Sequence, residues 1–223
     1  MTGFNLKPIE KEDTTKDKIY NQVKYAILNG KIDIQDSFTE VQLAASLNTS
    51  RTPVRAALQD LVKERLIVSI PRKGFEVREI TVDEQKQIFL LRAAMEAEVV
   101  KKVAPNIKDH EIDLLKSINK EQQLAIQNNN SVRFIELDQH FHLNLVRFSG
   151  MTIIEEILQN LLNLSQLIGL RAVQKQGRFY DVLKEHENII LSLKKRDPNL
   201  AYQEMIQHLQ NTNEILLQLD HSR

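Results

Sequence analysis

The sequence of 223 residues contains no cysteine. That absence excludes disulfides, thiolate metal sites and cysteine nucleophiles, and it suits a reducing compartment. Net charge is missing too: 30 Lys and Arg balance 30 Asp and Glu, so any surface for a polyanion must be local. No apolar run approaches the ~20 residues of a membrane span. Met1 to Lys18 are polar and charged rather than patterned as a signal peptide. Together these absences lead us to expect a cytoplasmic protein with no membrane partner. Proline and glycine are sparse at five and six, and neither an internal repeat nor a long low-complexity tract stands out. What is present is 42% apolar residues, enough for a real core, and 27% charged residues on a chain rich in Leu, Ile, Gln, Asn, Lys and Glu. At ~100–200 residues per domain, this is one large domain or two small ones, mainly α.

Helix signals divide the chain into two regions. Residues 1–13 carry little apolar periodicity and are expected to fray. Thr14 or Thr15 opens a helix carrying Ile19, Val23, Ala26 and Ile27, which stops near Asn29-Gly30. Thr39 with Gln42 forms a capping box for a short second helix ending after Leu47. Ser50 is placed to cap a third helix over Arg51 to about Glu64, with Pro53 tolerated in its first turn. Ile67–Ile70, Pro71–Gly74 and Phe75–Arg78 then read as strand, turn and strand, a hairpin with a basic tip. Thr81 with Glu84 is another capping box. Beyond it helices are predicted at about 82–103, 109–128, 132–148, 153–175, 178–195 and 198–219. Their breaks are Pro105, Asn128–Asn130, Gly150, Gly177 and Asp197-Pro198. The predicted architecture is a winged helix-turn-helix over 1–80 followed by an all-helical bundle of about six helices over 81–223.

A recognition helix needs polar and basic side chains at its N-terminal end, where they reach base edges and phosphates. Ser50, Arg51, Thr52 and Arg55 supply them, with both arginines on one face and Val54, Leu58, Leu61 and Val62 forming the inward stripe. From Ser46 to Arg78 seven basic residues face three acidic ones, a local excess that a phosphate backbone selects. Arg72, Lys73 and Gly74 mark the wing tip. Three helices and a hairpin also occur in proteins that bind no DNA, so spacing alone leaves both readings open.

In the second region three histidines fall on apolar stripes. His142, four residues after Asp138, lies in the arc of Phe134, Leu137, Phe141 and Leu145, whereas His140 points the other way. His186 sits among Val182, Ile189, Ile190 and Leu193, and His208 among Ala201, Met205, Leu209 and Ile215. The turn at Asp197-Pro198 places His186 and His208 eleven residues on either side, at equal height in an antiparallel helical pair. A lone histidine on such a stripe is most often a core residue with one hydrogen bond. Three of them with a carboxylate predicted to be buried are less readily three separate coincidences, and they point to a metal site, because an unpaired buried Asp138 costs several kcal/mol that a divalent cation would offset. Three imidazoles, one carboxylate and no thiol suit Zn²⁺ or Ni²⁺, with Mn²⁺ admissible, and leave positions open for water or a ligand oxygen.

Particular residues carry two family resemblances. Glu40–Ala44, Ser50-Arg51-Thr52-Pro53-Val54-Arg55-Ala56-Ala57-Leu58, Leu66-Ile67 and Pro71–Val77 resemble the N-terminal domain of GntR-family transcription regulators, over about residues 16–80. The resemblance implies operator contacts from Arg51 and Arg55 and a wing glycine, Gly74, close to the DNA. The chain departs from the family pattern at Ile34-Gln35, Val41, Ala56 and Arg65, where the family usually has Pro-Gly, sometimes Arg, an acidic residue and Gly. Leu91–Glu96, Asp138 with Phe141-His142, Glu185-His186 and Gln207-His208-Leu209 resemble the FCD ligand-binding domain of the FadR subfamily, over about 82–220. That resemblance implies a divalent metal on Asp138, His142, His186 and His208, a small carboxylate effector, and a homodimer on a near-palindromic double-stranded operator. Arg92 and Arg171 are candidates to neutralise the effector. A regulator rather than an enzyme is therefore expected. A metal-dependent hydrolase and a helical dimerisation module with a structural metal are the alternatives, and the hydrolase lacks both an HExxH arrangement and a clear general base.

Overall fold

The computed structural model describes residues 13–34, 36–172 and 178–220. The chain divides between Arg78 and Glu79 into two compact units. In the first, α1 (Thr15–Leu28), α2 (Glu40–Ser46) and α3 (Arg51–Lys63) are followed by strands β2 (Ile67–Ile70) and β3 (Gly74–Val77). Thr14 and Thr39 cap α1 and α2, each through a complete capping box with the acid or amide three residues on. Ser50 stands at the N-cap of α3, but its side chain makes no capping bond, contrary to expectation.

A two-residue strand, β1 (Ser37–Phe38), had no sequence signal, because alternation cannot register over so short a segment. It pairs antiparallel with β3, setting the sheet order β1-β3-β2. Its presence explains Gly74: φ is +110° there, and a Cβ would lie 2.4 Å from the Phe38 carbonyl oxygen. The core of this unit joins Ile19, Val23 and Ile27 to Val54, Leu58, Leu61, Leu66 and Phe75. Ala57 belongs to the inward face of α3, whereas Val62 is only half-buried.

The second unit comprises α4 (Val82–Val103), a short 3-10 turn at Ala104–Asn106, α5 (Asp109–Gln127), α6 (Ser131–Ser149), α7 (Thr152–Ala172), α8 (Arg178–Lys194) and α9 (Pro198–Asp220). Thr81 and Glu84 form the capping box of α4. Asp197 accepts the Asn199 and Leu200 amides ahead of Pro198, so the turn between α8 and α9 is fixed by N-cap chemistry. Helix α4 packs along α9 and against α6 and α7, while α5 packs on α6 and α8. The bundle therefore brings one face each of α4, α5, α6, α8 and α9 toward a common interior. The predicted break at Gly177 lies outside the described residues.

Candidate metal centre and nucleic-acid interface

In the first unit Ser50, Arg51, Thr52, Arg55, Arg72 and Lys73 are all exposed, and Gly74 is half-buried. They come from the start of α3 and the hairpin tip, as the sequence pattern placed them. Glu40, in the first turn of α2, holds both arginines. Arg55 donates through Nε and Nη2 to its two carboxylate oxygens at 2.9 and 3.1 Å, and Arg51 Nη2 donates at 3.3 Å. These donors hold the Glu40 carboxyl below the usual range, Arg55 contributing most. Sequence reasoning missed this clamp. Its signal is a carboxylate eleven and fifteen residues before the two arginines, which becomes interpretable only once α2 and α3 cross.

In the second unit the predicted ligands meet. One donor atom from each of Asp138, His142, His186 and His208 lies within 4.8 Å of every other. Asp138 Oδ1 is 3.4 Å from His186 Nε2, Asp138 Oδ2 is 3.8 Å from His142 Nε2, and the Nε2 atoms of His142 and His208 are 3.3 Å apart. The three imidazoles are buried. Asp138 is not: its side chain keeps 24% exposure, which corrects the expectation of a buried carboxylate. It stands at the edge where the cluster opens onto a cavity.

Each imidazole is held from behind. His186 Nδ1 donates to Gln122 Oε1 at 2.9 Å, and His208 Nδ1 donates to Glu185 Oε2 at 2.7 Å. His142 Nδ1 sits against the buried Glu96 carboxylate. The Phe141 ring stacks on His186 at 3.9 Å between centroids. The acceptors behind Nδ1 of His186 and His208 keep the proton there and leave the Nε2 lone pair facing the centre, the usual outer support of metal-binding histidines.

Burial, with the neighbouring imidazoles and arginines adding to it, drives the pKa of His186 well below the ordinary value, so it is neutral. His208 is lowered by burial too, with Glu185 opposing. Burial pushes Glu96 up, but Arg92 and His142 outweigh it and hold it at about 2. Glu185, likewise raised by burial, is brought to about 2 by His208, Arg178 and Asn211.

This donor set fits a first-row divalent cation. With ligand bonds of ~2.0–2.2 Å, neighbouring donors stand roughly 3.0–3.5 Å apart, close to the separations found. His186 Nε2 is buried without a hydrogen-bond partner among the described residues, an arrangement that costs about 1–3 kcal/mol unless a cation or donor completes it.

Beside the cluster is a cavity of about 100 Å³ whose lining includes Asp138, His208, Arg92, Arg178 and the rings of Phe89, Phe134 and Phe179. Arg92 lies inside the fold at 3% exposure, where its Nε donates to Glu96 at 2.7 Å. Arg171 lies at the end of α7, and its side chain falls outside the described residues. Arg178 was not singled out by sequence, yet it donates twice to Glu185, at 2.8 and 2.7 Å, and to Thr212 Oγ1 at 2.7 Å. Glu96, Gln122 and Glu185 were also unassigned. Gln122 left a trace: it is the polar member of a helical stripe that includes Leu115, Ile118 and Ala125.

Residues 87–211 match the FCD domain family, and residues 15–77 match the bacterial regulatory proteins of the gntR family. Among curated relatives, the HTH-type transcriptional regulator YdhC of Bacillus subtilis is 29% identical over 200 residues, 89% of each chain. The HTH-type transcriptional repressor RspR of Escherichia coli is 26% identical, over 91% of this chain and 89% of its own. The structure of E. coli McbR/YncC superposes with a TM-score of 0.82 at 21% identity, covering 92% of this chain and 98% of that one, and so shows a shared fold. These families and relatives are transcription regulators, which sets the hydrolase alternative aside. No described helix is long and apolar enough to cross a membrane. With more than half its length in the FCD match and a winged helix-turn-helix ahead of it, the chain belongs to the GntR family of DNA-binding transcription regulators and carries an FCD effector-binding domain.

Proposed function

We propose that this regulator acts in the cytoplasm as a homodimer that senses a small carboxylate through a divalent cation held by Asp138, His142, His186 and His208. The carrying observation is that the three Nδ1 positions face outward, to Glu96, Gln122 and Glu185, while three imidazoles and one carboxylate converge on a single point. Bound there, the cation supplies a Lewis-acidic anchor for a carboxylate oxygen. Of the candidate arginines, Arg92 lines the adjoining cavity and leaves a buried Nη2 without a partner among the described residues. Zn²⁺ and Ni²⁺ suit the donors best, with Mn²⁺ admissible.

On the DNA side, the α3 residues Ser50, Arg51, Thr52 and Arg55 read the major groove, and Arg72, Lys73 and Gly74 of the wing follow the backbone. The Ser50 hydroxyl, not spent on capping α3, is available to a phosphate. Two copies would address the half-sites of a near-palindromic operator. The carboxylate alters operator affinity only to the extent that it binds one arrangement of the dimer more tightly than the other.

The test combines elemental analysis with operator titration. Purified protein is expected to retain or take up close to one cation per chain, and a bound acid should shift operator affinity only in the metal-loaded state. Wild type that stays empty after dialysis against Zn²⁺ and Ni²⁺ would remove the sensing half of the proposal. Metal-dependent melting without any acid-induced change would instead assign the cation a structural role.

A further inference from the structure

We infer that the cavity beside the cluster selects a small monocarboxylate with an apolar body and a neutral oxygen, in preference to di- and tricarboxylates. The inference rests on the acid-sensing reading above and adds the charge class of the acid. Among the described residues lining the cavity, Arg92, Asp138 and Arg178 carry formal charge. Neither arginine is a spare cation. Arg92 is paired with buried Glu96, and Arg178 is held through two bonds by Glu185. Both carboxylates are fixed in place, because each also supports a histidine from behind.

Among the described residues Asp138, Glu96 and Glu185 thus outnumber the two guanidinium groups by one, and a divalent cation turns that deficit into a single positive charge. One carboxylate neutralises it. A second would enter a low-dielectric cavity with no unmatched cation among its described lining residues to receive it, where an unpaired charge is costly.

The remaining features describe the rest of the molecule. Arg92 Nη2 and Arg178 Nε are buried donors without partners among the described residues, suited to a hydroxyl or carbonyl oxygen. Phe89, Phe134 and Phe179 provide an apolar wall. At about 100 Å³ the space lies well under the ~300 Å³ lower end of drug-sized sites, so the acid is short.

The experiment is isothermal titration of zinc- or nickel-loaded protein with four-carbon acids (butyrate and its 2-hydroxy and 2-oxo derivatives, succinate and malate) and with the larger triacid citrate. Monocarboxylates carrying the extra oxygen are expected to bind at least about tenfold more tightly than the diacids and the triacid. A diacid or citrate binding as tightly overturns the charge argument while leaving acid sensing intact. No binding by any of these acids to metal-loaded protein counts against the acid-sensing reading itself, and this inference falls with it.

Glu185→Gln sharpens the test. The amide oxygen still accepts from His208, but one negative charge is gone, so relative affinity should move about tenfold toward the diacids. Glu96→Gln makes the same change on the opposite side and serves if the first variant loses its metal. A diacid-to-monoacid ratio unmoved in a metal-retaining variant contradicts the inference.

Discussion

The two halves of the chain place their functional side chains under opposite physical conditions. In the DNA-reading unit the key groups are exposed and come from two short stretches, 50–55 and 72–74. In the sensing unit the imidazoles are buried and come from three helices, with supports from α4, α5 and α8. The exposed arginines are paired only with Glu40 at the surface, where an ion pair adds little stability, so their loss costs function more than stability. A buried imidazole is tied to both at once, since removing it leaves a hole, an orphaned partner and a missing ligand. The largest expected effect is therefore at His186. For His186→Ala we expect metal content near zero and a loss of about 3–5 kcal/mol relative to metal-loaded wild type, read by elemental analysis and chemical denaturation. Full metal retention in this variant would erase the contrast between the halves.

The converse test lies on α3. Replacing both Arg51 and Arg55 with Ala should weaken operator binding by about 2–6 kcal/mol in an anisotropy titration, while stability stays within ~0.5 kcal/mol. Operator affinity equal to wild type would end the assignment of these residues.

Acidification separates the halves differently, because all six histidines lie beyond residue 78. In metal-free protein the folded-state pKa of His186 is held well below 6.5 by burial, and the unfolded chain takes up the proton near 6.5. The unfolded state therefore binds more protons between those values. Stability is complete above pH 6.5 and is lost as pH falls below it. Urea titrations followed by methyl NMR should show this loss at pH 5 in the core of the helical bundle but not around α3. Equal responses in both would show that His186 does not dominate.

Two backbone positions in the first unit give smaller effects. Gly74→Ala must accommodate a Cβ at 2.4 Å from the Phe38 oxygen and a φ of +110°, and should cost about 1–3 kcal/mol in thermal denaturation. Arg65, at φ +59° after α3, occupies the position where the family resemblance leads one to expect Gly. Arg65→Gly should raise stability by up to about 1 kcal/mol, with a modest loss of DNA affinity through the missing charge. A destabilised Arg65→Gly variant would show that the arginine side chain contributes more than its backbone strain costs.

The fold was legible where chemistry is local. Thr39 and Thr81 announce their helices through capping boxes, Thr14 or Thr15 marks the start of the first, and Asp197-Pro198 announces the last turn. The four candidate ligands were legible because histidines on apolar stripes conflict with the pattern around them. The strand at Ser37–Phe38 was not, since two residues show no period and exist as strand only by pairing with β3. Burial of Asp138 was misjudged because a helical arc cannot show that a cavity opens at its edge. The pairing of Arg92 with Glu96 is an i, i+4 relation visible in sequence, but its burial is not.

What the sequence determined by itself is the set of helices, the basic reader and the identity of four convergent donors, because caps, periods and equal spacing about a turn act over a few residues. Only the tertiary structure decided which group stands behind each imidazole, that Glu40 restrains the two arginines, and that the cavity arginines are already neutralised. The first two depend on side chains 11 to 64 residues apart meeting across packed helices and the third on burial of near neighbours, and the free energy of both belongs to the assembled fold rather than to any segment of it.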